Sequence, residues 1–313
     1  MHILFMGTPE YARIILQGLV EQTDHTVRVV TKPDAPQGRH RVLTASPVAQ
    51  YACSHEMVVD KPRKLLEYRE TWQAFQPDLI ITAAYGRILR PWLLNLPHYG
   101  SVNLHASLLP RWRGANPIAW AIRCGDTQTG VTLMQMDEGM DTGPIIAQKS
   151  LPIDPEDTTG TLTEKLAISA RDLLLDHLTD LDQSQWNTVK QSDQGMTLAP
   201  KFEPKDEWIS WQEPAYAIDC RLRSLWPHVL ARTSIEGTDG IVHIGAAQIV
   251  SRAPDKIFPS AQIGDTVLVG DVWHVQTGSG ILALTRIRPA GRGMMSPGAF
   301  MRGHQTLTKV RLV

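Results

Sequence analysis

The sequence predicts an α/β fold, a doubly wound and mostly parallel sheet followed by a small antiparallel β-barrel. Three observations carry that expectation. Through residue 181, short apolar runs alternate with helix-like stretches, the pattern of strands joined by crossover helices. After Pro227 the pattern changes to short apolar runs separated by Gly and Asp, which suits a small barrel. At 313 residues the chain is also too long for one ordinary core, so two domains are expected.

Taken in order, HILFM (2–6) reads as the first buried strand and Gly7 as the tight turn after it. Thr8 is expected to cap the next helix and Pro9 to take its first position, with the helix running over 10–21. TVRVV (26–30) is the next strand, followed by LIITA (79–83), SVNLH (101–105) and GVTLMQM (130–136). The helix-like PIAWAIRCG (117–125) lies between the last two strands and is read as a parallel crossover. Residues 160–181 place apolar side chains at helical spacing and close the first domain. The stretch 182–208 is polar and carries two prolines, the composition of a linker. VLARTSI (229–235), IVHIGAAQIV (241–250), DTVLVG (265–270), WHVQTG (273–278) and GILALTRI (280–287) then supply the barrel strands.

Composition narrows the function classes. A content of 42% hydrophobic and 20% charged residues is that of a soluble globular protein. Cys53, Cys124 and Cys220 form no CxxC pair, so neither a zinc site nor a redox motif is expected, and the thiols fit a reducing, cytoplasmic compartment. The first ten residues have no basic region and only a five-residue apolar run, too short for a signal peptide, and no stretch approaches the length of a membrane helix. The net charge of −1 argues against a generic polyanion binder, but the charge is uneven. After Asp271 there is no acidic side chain, while Arg286, Arg288, Arg292, Arg302, Lys309 and Arg311 follow. Such asymmetry fits an anionic partner for the C-terminal part, and fits a solvated basic face equally well.

GTPE (7–10) offers one glycine, short of both the dinucleotide and the P-loop fingerprints, so it is read as a plain strand-to-helix turn. The chemistry lies elsewhere. Ligands of open parallel sheets collect beyond the carboxyl ends of the strands. Asn103 and His105 end their strand and share one face of it, because side chains alternate with period two. The strand at 130–136 leads into MDEGMDTGP (136–144), a Gly-rich turn with Asp137, Glu138 and Asp141. An amide, an imidazole and a carboxylate without a Ser or Cys nucleophile suit acyl transfer between two bound substrates. Asn and His stabilise an oxyanion and the acid takes a proton from an attacking amine. Singly, each residue has an ordinary reading as a loop cap, a satisfied buried histidine or a turn former; the three together favour the site. His105 has no second histidine at ligand spacing, so no metal is expected.

NLHASLLPRWRGANPI (103–118) and TGVTLMQMDEGMDTGPII (129–146) resemble the signature of the 10-formyltetrahydrofolate-dependent formyltransferases. The resemblance extends to FMGTPEYA, TKPDAPQGRHRVLTASPV, AAYGRIL, LAPKFEPKDEWISW, RLRSLWP and RPAGRGMMSPGAFMRGH, nearly the whole chain. It implies a Rossmann-like formyltransferase domain over 1–188, a linker over 189–206 and an OB-like barrel over 207–313 that binds tRNA. It implies that Asn103, His105 and Asp141 are catalytic. It also implies that 10-formyltetrahydrofolate lies along Ser107, Leu108, Leu109 and Pro110, with its pterin held by backbone groups of Ile88 and Leu89 and of the turn starting at Asp137. Within the family, the pattern is most similar to the members that formylate initiator methionyl-tRNA. By that likeness the loop from Lys32 to Arg41, with Arg39 and Arg41, faces the tRNA, and the enzyme is a monomer. His40 departs from the small or basic residue usual there, and Leu198 stands where the family's linker often has Tyr. The rival acceptors are the amine of a nucleotide sugar, or water in a formyltetrahydrofolate hydrolase; a non-catalytic RNA-binding chain on the same fold is a third alternative.

Overall fold

The computed structural model describes residues 1–37, 41–178, 186–238, 240–250, 262–304 and 310–313. The chain divides into two compact units, Met1–Ile118 with Thr127–Ile153 and Thr161–Pro200, and Ala119–Asp126 with Asp154–Gly160 and Lys201–Val313.

The first unit is built on β1 (His2–Gly7), β2 (Thr26–Val30), β5 (Val59–Asp60), β6 (Leu79–Ala83), β7 (Ser101–His105), β8 (Gln128–Gln135) and β9 (Ile145–Pro152), with a separate hairpin of β3 (Ala35–Gln37) and β4 (Val42–Thr44). The seven-stranded sheet has the order β5-β2-β1-β6-β7-β8-β9, parallel from β5 to β7. Ile3 to Met6 and Leu79 to Ile81 are fully buried, as central strands covered on both faces must be. The helices are α1 (Glu10–Gln22), α2 (Pro47–Ser54), α3 (Arg69–Phe75), α4 (Pro91–Leu94) and α6 (Thr159–Leu178), while α5 (Pro117–Arg123) belongs to the second unit from Ala119 on. In α6, Leu162, Leu166, Ala170, Leu173 and Leu174 make the buried stripe that the spacing predicts. Residues 179–181 of the expected helix lie outside the described residues.

Two expectations need correction. The cap of α1 is Pro9, not Thr8: proline fixes φ but leaves ψ free, and here φ −82° with ψ −177° keeps Pro9 extended, so the helix begins at Glu10. The link from β7 to β8 is not a parallel crossover, because β8 runs antiparallel to β7, pairing Val102 with Gln135 and His105 with Thr132. A seven-residue helix rises only about 10 Å, less than the roughly 26 Å of an eight-residue strand, so α5 cannot carry the chain back to the start of a parallel neighbour. Alternating hydrophobicity looks the same for either strand direction.

The second unit holds β10 (Arg232–Ser234), β11 (Ile241–Val250), β12 (Thr266–Val269), β13 (Val272–Gln276) and β14 (Ile281–Pro289), with α7 (Ala215–Leu225) and α8 (Pro297–Arg302). All pairings are antiparallel, in the order β10-β11-β14-β13-β12. The last residues close it: Val313 exchanges hydrogen bonds with Ser234 beside β10, while Thr266 of β12 donates to Val310. Trp273, Val275, Leu282 and Leu284 fill the interior with Ile218 and Leu225 of α7. Arg221 is buried on α7, and its guanidinium is taken by Glu213 and by the carbonyls of Asp206 and Trp208.

One buried acid pins the sheet edge. Asp60 on β5 accepts from Arg28 Nε (2.6 Å) and Nη2 (2.9 Å) and from Trp72 Nε1 (2.7 Å), and it holds the Arg28 guanidinium above its ordinary pKa by that hydrogen bonding. Asp60→Ala leaves the buried Trp72 N–H and the partly exposed Arg28 guanidinium without their acceptor and is expected to cost about 2–4 kcal/mol, measured as a lowered urea midpoint of the first unit.

Candidate active site

β7 ends the run of parallel strands, and its alternation sorts its side chains. Val102 and Leu104 are buried in the core. Asn103 and His105 share the other face. Across the ladder Asn103 pairs with Thr82 of β6, whose hydroxyl donates to Asn103 Oδ1 at 2.8 Å. That bond orients the amide and leaves Nδ2, a pure donor, with no hydrogen-bond partner among the described residues.

His105 is held by the loop that follows it. Its Nε2 lies 2.9 Å from the Trp112 carbonyl, which can only accept, so Nε2 carries a proton. Nδ1 is then the atom left for chemistry, and it faces Asp141 Oδ2 at 3.7 Å. The same Oδ2 accepts the Gly114 N–H at 2.8 Å. The structure thus brings His105 and Asp141 together, with Asn103 one alternation back on the same strand.

Two residues of this constellation have left-handed backbones, Trp112 at φ 64° and Asp141 at φ 54°. Such a conformation is uncommon for Asp and strained for a bulky side chain. Trp112 is kept there by its N–H on Thr197 Oγ1 (2.9 Å) and by the Arg111 guanidinium, 4.2 Å from its ring centre. Glycine is required at Gly143, where a Cβ would strike the Gln135 carbonyl, and at Gly114, whose φ is 125° and whose added Cβ would lie 2.8 Å from the Ala199 carbonyl.

The residues expected along the folate divide by exposure. Ser107 is buried with its hydroxyl on the Arg111 carbonyl, and Leu109 is buried with its N–H on Thr132 and its carbonyl on Gln148. Leu108 and Pro110 stay partly exposed. The Leu89 side chain packs in the cluster of Trp72, Ile80 and Leu93, whereas Ile88 is 78% exposed. No backbone group of Ile88 or Leu89 is hydrogen-bonded among the described residues. The Asp137 carboxylate accepts from Gly139 N (3.0 Å) and Thr142 Oγ1 (2.8 Å), so it shapes its turn, while Met140 in that turn is 58% exposed. Free backbone groups beside exposed Ile88 and Met140 fit a flat heterocycle whose edge carries donors and acceptors. Tyr85 is excluded as a base, since burial pushes its phenol up to about 12.

Arg41 is exposed at the tip of the β3–β4 hairpin beside exposed Val42 and Leu43, and Arg39 and His40 lie outside the described residues. No cluster of three or more His, Cys, Asp and Glu suited to a metal exists among the described residues, and none of their helices is long and apolar enough to cross a membrane.

Residues 189–199 are pinned to this unit. Val189 pairs with Ile145, and Arg113 exchanges backbone hydrogen bonds with Thr197 and Ala199. Sequence reasoning passed over Thr82, though a lone hydroxyl in an apolar run was a usable sign. It also passed over Gln191, which nothing distinguishes within a polar stretch.

Two family models match the chain, Formyl transferase over residues 1–178 and Formyl transferase, C-terminal domain over residues 201–305. The methionyl-tRNA formyltransferase of Halorhodospira halophila is 41% identical over 304 residues, 97% of this chain and 96% of the relative, and that of Myxococcus xanthus is 40% identical over 305 residues, covering 97% and 95%. Among solved structures, an N-formyltransferase from Helicobacter canadensis in complex with folinic acid and dTDP-3-aminofucose shares the fold, with a TM-score of 0.67 and 17% identity over 90% of this chain and 97% of that one. With both domains matched in order and the likeness running almost end to end, the chain belongs to the formyl transferase family.

Proposed function

We propose that this chain transfers the formyl group of 10-formyltetrahydrofolate to the free amino group of initiator methionyl-tRNA, giving N-formylmethionyl-tRNA for the start of translation. The observation that carries the reading is the full-length likeness, at 41% and 40% identity, to relatives named for that reaction. The protein acts as a monomer in the cytoplasm and needs no metal.

The folate supplies a formyl group on nitrogen. As the methionyl amine adds to the formyl carbon, negative charge builds on the formyl oxygen, and Asn103 Nδ2, held ready by Thr82, donates to it. His105 stabilises the same oxygen as an imidazolium, whose Nδ1–H donates to it while Nε2–H stays on the Trp112 carbonyl. Asp141 takes the proton that the amine loses and returns it to the folate nitrogen as the bond between that nitrogen and the formyl carbon breaks. Leu108, Pro110 and Ile88 offer apolar surface to the folate, and the backbone of Ile88, Leu89 and the 137–141 turn offers donors and acceptors. Arg39 and Arg41 engage the acceptor end of the tRNA.

Purified protein mixed with 10-formyltetrahydrofolate and charged initiator tRNA is expected to yield formylmethionyl-tRNA. Formylation of a sugar-nucleotide amine instead, or turnover with no acceptor, moves the chain to another branch of the family. Asn103→Ala should lower kcat about a hundredfold, and a loss of only a few fold removes it from the oxyanion site. Thr82→Val, which deletes one orienting hydrogen bond of about 1 kcal/mol, should lower kcat by about fivefold with the fold intact. Arg39→Ala should raise KM for tRNA and spare folate binding; unchanged tRNA kinetics remove the loop from recognition.

A further inference from the structure

Gln191 lies in the polar stretch between α6 and the second unit, yet it is only 8% exposed and its side-chain amide is fully used. Its Nε2 donates to the carbonyls of Asp141 (2.9 Å) and Gly143 (2.7 Å), and its Oε1 accepts from Arg113 Nη2 (2.7 Å) and Nε (3.1 Å). Those two carbonyls flank Thr142, so a single NH2 group clamps both sides of the turn that presents Asp141 in its left-handed conformation. No other group among the described residues bonds either carbonyl.

The second half of the contact reaches the histidine. Arg113 sits between Trp112, whose carbonyl holds His105 Nε2, and Gly114, whose N–H holds Asp141 Oδ2. One side chain therefore braces the main chain of the acid and the main chain that carries the supports of both acid and imidazole. An anchor for the stretch itself is not what Gln191 adds. Backbone bonds already fasten it on either side, with Val189 on Ile145 at 2.8 Å and Ala199 on Arg113 at 2.8 Å.

We infer that Gln191 is a positioning residue for formyl transfer, setting the Asp141 carboxylate against His105 Nδ1 through the two hydrogen bonds its amide donates. The inference rests on the proposed function of the site. It also assigns Arg113 inward, as a partner of Gln191, and not to a folate carboxylate or a tRNA phosphate.

Gln191→Glu separates the two roles of the amide, because it keeps an acceptor for Arg113 while replacing the donor with an oxygen facing two carbonyls. The expected result is a kcat lower by about ten- to a hundredfold, the effect of misplacing a catalytic group by about 1 Å, with KM for both substrates within about twofold of wild type. Hydrogen exchange at the Gly114 amide, measured on the protein without substrates, should become faster as its acceptor moves away. Wild-type kcat, or unchanged Gly114 exchange, in Q191E overturns the inference. If Q191E does not fold, Q191M, which removes donor and acceptor together, is read by the same two measurements, and wild-type kcat or unchanged Gly114 exchange overturns the inference there as well. If the wild-type protein formylates no methionyl-tRNA, the proposed function fails, and the Gly114 exchange still decides the positioning on its own.

Discussion

The direction of β8 is the constraint on which the site depends. Asn103 and His105 stand at the carboxyl end of β7, where a parallel neighbour would deliver its own following loop to the same edge. Because β8 is antiparallel, its carboxyl end lies opposite Val102, at the far end of β7 from His105. The acid of the site must therefore return along the strand, and residues 136–144 make that return. A loop that carries a catalytic group over such a path needs its backbone fixed, and bonds from within the loop and from Gln191 and Gly114 outside it do so. Asp137 closes its first half through Gly139 and Thr142, and Gln135 takes the Pro144 carbonyl at its base.

The return is tight, and the tightness explains the strained positions. Gly143 is needed because the loop passes against the Gln135 carbonyl, and Asp141 accepts a positive φ at the point where the turn must aim its carboxylate inward. Trp112 pays a larger steric penalty across the site. A non-glycine residue with a left-handed backbone costs on the order of 1–3 kcal/mol and persists only where its surroundings over-determine it. Here they do: Thr197 fixes the Trp112 N–H, His105 takes its carbonyl, and Arg111 covers its ring. The strain is spent on geometry, since the carbonyl that it turns inward is the one that leaves His105 Nδ1 free to face Asp141.

Much of this could be read from the sequence, and the parts that could not have a common cause. Buried strands such as HILFM, TVRVV, LIITA and SVNLH are continuous apolar runs or clean alternations, and they fall within a residue of β1, β2, β6 and β7. The five barrel strands are legible for the same reason. Local pattern does not encode strand direction, so the sequence reads β8 as parallel, and strand β9 offers only Ile145, Ile146 and Ala147 before it turns polar and exposed. The helix α7 hides because Arg221 occupies its buried face, neutralised by Glu213 from outside the helix. At the site, Asn103, His105 and Asp141 announce themselves by residue type. Their supports do not: Thr82, Trp112, Gln191 and Gly114 matter through contacts formed across long separations in the chain.

The same distinction between residue type and partner changes the meaning of the basic C-terminal region. The sequence after Asp271 is free of acid, but folding supplies acids from earlier in the chain: Asp271 binds Arg302 at 2.8 Å and Glu236 lies 3.5 Å from Arg311. Lys309 lies outside the described residues. Without an acidic partner among the described residues are exposed Arg292 and a strip of Arg286 and Arg288, two apart on β14 and exposed on either side of buried Ile287. Opposite Arg288 on β11 stands His243, and burial together with the charges of Arg288 and Arg232 holds its pKa below the ordinary value. The imidazole is therefore neutral at neutral pH. A neutral imidazole leaves the two arginines as the charged groups of the strip.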